Sequence, residues 1–300
     1  MKNIAEKLEL VVLSRDRGEL IMKTIESLLG CTTIPKKIVI SDNSESCEVA
    51  EKIIQKYPYL EVRRRLPTLS AVDHYSVVIS EVQLEYCILF HDDDEMNPDY
   101  IETIYNLIEL DKSLVAVATN AHVIKKNNIK KAFYMNQRDD VRIIYNSGEL
   151  IKEYLRAYTG SHPPFPSYIY RTKYIKGEGL SKNEGGKHSD LTFLIKLCEK
   201  GKMAWIKKSL IKYRIHAEND SAVESISDRL SLLRYLKKNK PGDVSKIDAL
   251  EYMCAYNLRR FKQLLNDGKL EISSAVVGLA YAMILILLRP QILLRIKAMG

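Results

Sequence analysis

Residues 85–101, EYCILFHDDDEMNPDYI, set three aspartates and a glutamate directly behind an apolar run. The run 85–90 has the composition of a buried strand, and Asn97 and Pro98 then cap and open a helix over 99–110. Four adjacent acids at the mouth of a buried strand are costly unless something positive meets them. An acidic turn ahead of a helix N-terminus is one answer. A divalent cation is the other. Side chains alternate in an extended exit, so Asp92 and Asp94 are expected on one face and Asp93 on the other. Two convergent carboxylates suit Mg²⁺ or Mn²⁺, which take oxygen ligands and keep water or substrate phosphates in their shell.

Working outward, short β-rich runs alternate with helical patterns. Strands are expected at 8–14, 36–44, 60–66 and 114–124, and helices at 19–30, 47–58 and 70–82. This βαβ rhythm implies an α/β fold with a mainly parallel sheet, whose ligands bind beyond the carboxyl ends of the strands. Three polar clusters fall at those ends: Ser14-Arg15, Ser41-Asp42-Asn43, and His91 to Glu95. The chain has no G-x-x-x-x-G-K-[S/T], and no G-x-G-x-x-G follows the first strand, so a P-loop and a dinucleotide site are excluded. A nucleoside diphosphate held through a metal remains. Residues 125–188 are less regular and carry two long loops, 159–168 and 176–190. A helix is expected from Asp190, a strand at 203–216, and helices at 224–239, 243–266 and 271–299.

The chain has 300 residues, 46% of them apolar, enough for one large α/β domain over 1–220 and a helical region over 221–300. Five cysteines without a C-x-x-C spacing argue against a zinc ribbon or a disulfide framework. The N-terminus lacks an apolar signal core, so a cytoplasmic setting is expected. Of the net charge of +8, residues 221–300 carry 13 Lys and Arg against 7 Asp and Glu, a balance of +6. The basic residues accompany aliphatic helix with no aromatic stacking stripe, which speaks against nucleic acid. The stretch Ile272–Leu288 is 17 uncharged residues, short of the roughly 20 a span needs. Arg289, Pro290, Arg295 and Lys297 then interrupt it. A basic, apolar surface lying on anionic lipid at the inner face of the cell membrane is one reading. A helix packed on the catalytic domain or in a homodimer is the other.

Three segments in this order resemble family 2 glycosyltransferases of the GT-A fold, as found in bacterial polysaccharide and O-antigen assembly. LVVLSRDRGELIMKTIESLLGCTTIPKKIVISDNS is similar to the family's opening, EYCILFHDDDEMNPDYI to its DXD segment, and SDLTFLIKLCEKGKMAWIKKSLIKYRIHAENDS to its closing section. The resemblance spans about residues 8–218. It implies an inverting, metal-dependent transfer of a sugar from a nucleotide-diphosphate donor to a hydroxyl of a glycan acceptor, and a membrane-lying C-terminal region makes sense if that glycan is carried on a polyprenyl diphosphate lipid. It implies that Ser14 and Arg15 border the nucleotide, that Asp42 binds base or ribose, and that Asp92 and Asp93 lie near ribose and sugar. Asp94 would ligate Mn²⁺ or Mg²⁺, with Asp92 sharing its face. Asp190 matches the general base, and His216 a position that in some members contacts metal or diphosphate. Asp190 also suits a helix N-cap, and His216 a structural hydrogen-bonder. The family's Ala-Arg-Asn stretch falls near Val72-Asp73-His74, where the arginine is missing. Arg63, Arg64 and Arg65 lie nearby, on what reads as a solvated edge strand. Clustered acids also serve metal-dependent nucleotidyltransferases and phosphohydrolases, and a catalytically silent scaffold of a glycan-assembly complex would keep the same fold.

Overall fold

The computed structural model describes residues 2–125, 128–133, 135, 137–155, 162–215, 226–239, 244–266 and 272–288. In chain order these form β1 (Asn3–Ser14), α1 (Gly18–Leu29), β2 (Thr33–Asp42), α2 (Glu48–Lys56), β3 (Glu61–Arg64), α3 (Ala71–Glu81), β4 (Tyr86–His91), β5 (Glu95–Met96) and α4 (Tyr100–Leu110). Then come β6 (Leu114–Lys125), β7 (Asn128–Phe133), β8 (Val141–Ile144), α5 (Ser147–Leu155), β9 (Tyr168–Arg171), α6 (Thr172–Ile175), α7 (Ser189–Cys198) and β10 (Lys202–Ile215). Three helices follow: α8 (Ile226–Asn239), α9 (Lys246–Asn266) and α10 (Ile272–Leu288).

One sheet carries the described strands in the order β3-β2-β1-β4-β9-β6-β10-β5, with β7 on β6 and β8 on β10. Both faces are covered, which is why LELVVL reads as a continuous apolar run and not as an alternation. Leu8, Leu10 and Val12 pack with Ile21, Ile25 and Ile104 of α1 and α4. Val11 and Leu13 point the other way, into a cluster with Val78 of α3, Leu150 of α5 and Leu194 of α7. Leu232 and Leu236 of α8 and Tyr252 of α9 belong to that same second cluster. The C-terminal helices α8 and α9 therefore share a core with the sheet. Helix α10 meets α9 through a smaller cluster of Cys254, Leu258 and Tyr281.

The sheet is mixed, as the GT-A resemblance implies, and more antiparallel than the βαβ rhythm alone suggests. Strands β1, β2, β3 and β4 are parallel neighbours. The four-residue β9 then inserts antiparallel between β4 and β6. Its brevity hid it, since YIYR follows the proline-rich loop and is too short to show a period. What seats β9 is Arg171, whose side chain is buried. Its Nε donates to Leu114 O at 3.0 Å, Nη1 to the Tyr86 hydroxyl at 2.8 Å and Nη2 to Ile108 O at 2.8 Å. Its guanidinium also lies 5.0 Å from the Tyr86 ring centroid. The helix at 99–110 exists, but Asn97 does not cap it. Asn97 instead donates from Nδ2 to Ser209 O and from its amide to Leu210 O, stitching the chain to β10.

Replacing Arg171 with methionine removes its hydrogen bonds to two backbone carbonyls and to the Tyr86 hydroxyl, which keeps only a longer one from Lys112. A loss of about 2–4 kcal/mol is expected, measured as a fall in the denaturation midpoint without a change in slope.

Candidate functional site

The β1 register sets the site. Ser14 sits opposite Asp42 of β2, and Leu13 opposite His91 of β4, so the three polar clusters line one sheet edge. The adjoining loops are laced together. Asn43 N donates to Ser14 O at 2.8 Å. Asp16, held at a φ of 54°, donates its amide to Ser44 Oγ at 2.8 Å. Asn43 clamps Leu69 from both sides, donating from Nδ2 to its carbonyl at 2.9 Å and accepting its amide at 2.7 Å.

Asp42 is fully buried. Its Oδ1 accepts the Ser44 amide at 3.0 Å and the Ser44 hydroxyl at 2.5 Å. Its Oδ2 makes no hydrogen bond among the described residues and lies 3.6 Å from Arg64 Nε. Ser14 Oγ is also buried without a hydrogen-bond partner there. Arg15 serves through its backbone, donating its amide to Asp92 Oδ2 at 2.9 Å, while its half-exposed side chain reaches Leu69 O at 3.4 Å.

The acids do not alternate as an extended strand would, because the chain turns at Asp92 and Asp93. Asp92 is drawn to the helix α1 side, where Arg17 Nη1 donates to its Oδ1 at 2.9 Å. The same Nη1 reaches Asp93 Oδ2 at 3.0 Å. The group brought within ligand distance is His91, Asp93 and Asp94, with donor atoms within 4.8 Å of one another. Asp92 is not in it, which corrects the expected pairing of Asp92 with Asp94. His216 lies outside the described residues. Asp94 is fully buried: Oδ1 accepts the Arg214 amide at 2.8 Å. Its Oδ2 has no hydrogen-bond partner among the described residues and sits 3.8 Å from His91 Nδ1. An orphaned carboxylate oxygen facing an imidazole nitrogen and a second carboxylate fits a hard-to-borderline divalent ion.

Electrostatics agree with that fit. Burial pushes the Asp94 carboxyl well above the usual range, and Asp93 adds to the rise. Burial raises Asp92 to about 6 in spite of Arg17. A cation would relieve both. Arg214 braces the turn from β10, donating from Nε to Asp93 O and from Nη2 to Glu95 Oε1, each at 2.9 Å. Glu95 also takes Lys212 Nζ at 2.8 Å, so it belongs to the β5–β10 pairing and not to the following helix.

On the facing side stand α3 and α7. The Tyr75 hydroxyl bonds His91 Nε2. Burial raises the Tyr75 phenol, and the charges of Asp190, Asp94 and Asp93 raise it further. Asp190 thus lies within electrostatic reach of the side chain that touches the acidic cluster. Asp190 is on the first turn of α7, where Leu191 N donates to its Oδ1 at 2.7 Å. The N-cap position itself is His188. Burial raises the Asp190 carboxyl, opposed chiefly by His188.

The arginines of β3 are not a solvated edge. Arg63 and Arg65 converge on Glu81, which Arg65 grips with Nη1 at 2.6 Å and Nη2 at 2.7 Å. Arg65 Nε also donates to Ser41 Oγ, which bonds His74 Nε2 at 2.7 Å. Burial and then Arg65 hold His74 down to about 4, so it is neutral. Roles for Arg17, Tyr75 and Arg214 are not legible in the linear order. A signal for Arg17 exists: acids at a strand end need a cation, and Arg17 follows the neighbouring strand end by three residues.

A mixed α/β sheet with nucleotide-side carboxylates on one edge and an acidic triplet beside them is the architecture of a GT-A transferase. Residues 10–176, more than half of the chain, match Glycosyl transferase family 2, and the chain belongs to that family of glycosyltransferases. No curated protein matches the sequence. Among solved structures, it is similar to S. aureus TarS 1–349 in complex with UDP-GlcNAc, with a TM-score of 0.60 at 13% identity over 95% of this chain and 82% of that one. The complex of TarS 1–349 with UDP gives 0.59 at 14%, over 95% and 81%. Against the longer S. aureus TarS structure the TM-score is 0.56 at 16% identity, and the match takes in 85% of this chain but only 43% of TarS.

The raised Asp92 value has a sign that can be checked. A carboxyl lifted above its unfolded value of about 3.9 contributes stability below that pH and loses it as pH rises toward 6. Asp92→Asn should therefore gain on the wild type between pH 4 and pH 7, by of order 2–3 kcal/mol, seen as a pH-dependent difference in Tm without divalent ions.

Proposed function

We propose that this protein moves a sugar, with inversion, from a nucleotide-diphosphate donor to a hydroxyl of a glycan acceptor. The observation that carries this is the orphaned, buried Asp94 oxygen beside His91 and Asp93, on the same edge as Asp42. Asp94, Asp93 and His91 would hold a divalent ion. Bound there, Mn²⁺ or Mg²⁺ neutralises charge that grows on the departing diphosphate. Ser14, Arg15 and Asp42 face the nucleoside, with Asn43 fixing the 65–70 loop over it. Arg17 bridges Asp92 and Asp93 and so offsets their mutual repulsion. Asp190 accepts the proton of the attacking hydroxyl, and burial supports that role by bringing its basicity closer to neutral pH. The UDP and UDP-GlcNAc complexes of TarS make a uridine donor the first to test.

The acceptor reading rests on α10. Val276, Leu279, Met283 and Leu287 are exposed at 62%, 63%, 65% and 79%, and the sequence beyond them carries Arg289, Arg295 and Lys297. Among the described residues no helix is long and apolar enough to cross a membrane. An apolar stripe beside basic charge supports docking on anionic lipid at the inner face of the membrane, where a polyprenyl-linked acceptor would lie.

Thermal-shift screening of nucleoside diphosphates and their sugars with Mn²⁺ should find one base that stabilises the protein. Asp94→Ala should lose the Mn²⁺-dependent part of that shift together with sugar transfer. Asp190→Asn should keep the shift and lose transfer by about 10²-fold or more. If both variants transfer sugar at the wild-type rate, the metal and base assignments fail; if the wild type itself transfers no sugar from a donor that stabilises it, the nucleotidyltransferase or scaffold reading replaces this one.

In flotation assays the wild type should rise with vesicles containing phosphatidylglycerol and not with neutral ones. Met283→Glu with Leu287→Glu should abolish flotation without altering nucleotide binding.

A further inference from the structure

We propose that α8 and α9 position the Asp190 carboxylate, by way of His188, and so form part of the catalytic apparatus and not merely a tether. The proposal rests on Asp190 being the general base.

Three consecutive residues ahead of Asp190 are held from the C-terminal helices. Gly186 has a φ of 63° and packs so closely on α8 that an added Cβ would lie 3.0 Å from Asp228 Oδ1 and 3.3 Å from its Cα. Lys187 N donates to the same Asp228 Oδ1 at 3.3 Å. His188 is buried, and both of its ring nitrogens are engaged. The Tyr154 hydroxyl of α5 meets Nδ1 at 2.7 Å, and the Tyr252 hydroxyl of α9 meets Nε2 at 3.3 Å. Both rings stand edge-on to the imidazole, at centroid distances of 5.8 and 6.3 Å. An imidazole held at both nitrogens by two different helices cannot rotate without breaking one bond.

The tyrosines are themselves fixed. Tyr154 stacks on His162 at 4.8 Å. Tyr252 lies against the buried guanidinium of Arg229 from α8, which sits 4.4 Å from the ring of Tyr252 and 4.4 Å from that of Tyr256. Tyr252 and Tyr256 are one helical turn apart on α9, so a single arginine fits between them. The helix pair thus buries Arg229 behind the tyrosine that reaches His188, two residues before Asp190. A base must sit within hydrogen-bond reach of the proton it takes, and small displacements cost rate steeply. The Tyr252–His188 contact supplies that placement from a part of the chain about 60 residues downstream.

Tyr252→Phe is the test, since it removes the hydroxyl and keeps the ring on Arg229. Using the full chain and the nucleotide sugar giving the largest thermal shift, kcat should fall about tenfold with donor KM within twofold. Hydrogen exchange of amides 186–191 should quicken while the sheet is unchanged. In an Asp190→Asn background the same change should have no further effect on the residual rate. Ile108→Ala, which thins the other core, under α4, should lower Tm and leave kcat in place. Unchanged kcat and exchange in Tyr252→Phe would overturn the proposal, as would additive losses in the double variant. Wild-type transfer by Asp190→Asn would instead overturn the base assignment itself, and the positioning role with it.

Discussion

Everything at this sheet edge depends on how negative charge is kept next to a covered core. Asp42 and Asp94 are fully buried and Asp92 and Asp93 nearly so. Bringing that many carboxylates out of water is unfavourable unless each oxygen finds a donor or a cation. The protein meets most of the demand with backbone amides and two arginines. Arg17 at the head of α1 spans Asp92 and Asp93, and Arg214 of β10 braces the backbone of Asp93 and the side chain of Glu95. Among the described residues two oxygens of these aspartates are left without a hydrogen bond: Asp42 Oδ2, which lies 3.6 Å from Arg64 Nε, and Asp94 Oδ2, which faces His91. That last oxygen, an imidazole nitrogen and the Asp93 carboxylate form a group that could hold a cation.

The same constraint explains the sheet. Strand β10 must reach the acidic turn to deliver the Arg214 amide, so it runs long, from Lys202 to Ile215, and pairs with the two-residue β5. Strand β9 fills the gap between β4 and β6, and buried Arg171 ties it to α4 and β6. The helices then divide by role. Helices α1 and α2 pack on one face of the sheet, α3 brings Tyr75 to His91 beside the acids, and α7 carries Asp190 on its first turn. Helices α8 and α9 close the second core behind α7.

The fold class was legible because its central strands are buried on both faces and spaced by amphipathic helices, a pattern that survives in linear order. Ser14, Asp42 and the acidic triplet were legible because they terminate those strands. The division among the acids was not. Alternation predicted Asp92 with Asp94, but a turn at Asp92 and Asp93 regrouped Asp93 and Asp94 with His91. The arginines at 63–65 read as solvent-facing, yet Arg63 and Arg65 are bound to Glu81 in the next helix, and Arg64 reaches the carbonyls of Ser44 and Ser46.

Sequence by itself determined which residues are apolar, where strands end, and that an excess of acid stands at one such end. These follow from local pattern and the two periodicities of strand and helix. Tertiary structure alone decided which oxygen of which aspartate lacks a donor, because Arg17, His91 and Arg214 come from separate elements whose side chains meet only when the sheet closes. It also decided that Tyr252 reaches His188, since a hydrogen bond across about 60 residues leaves no local trace in composition or period.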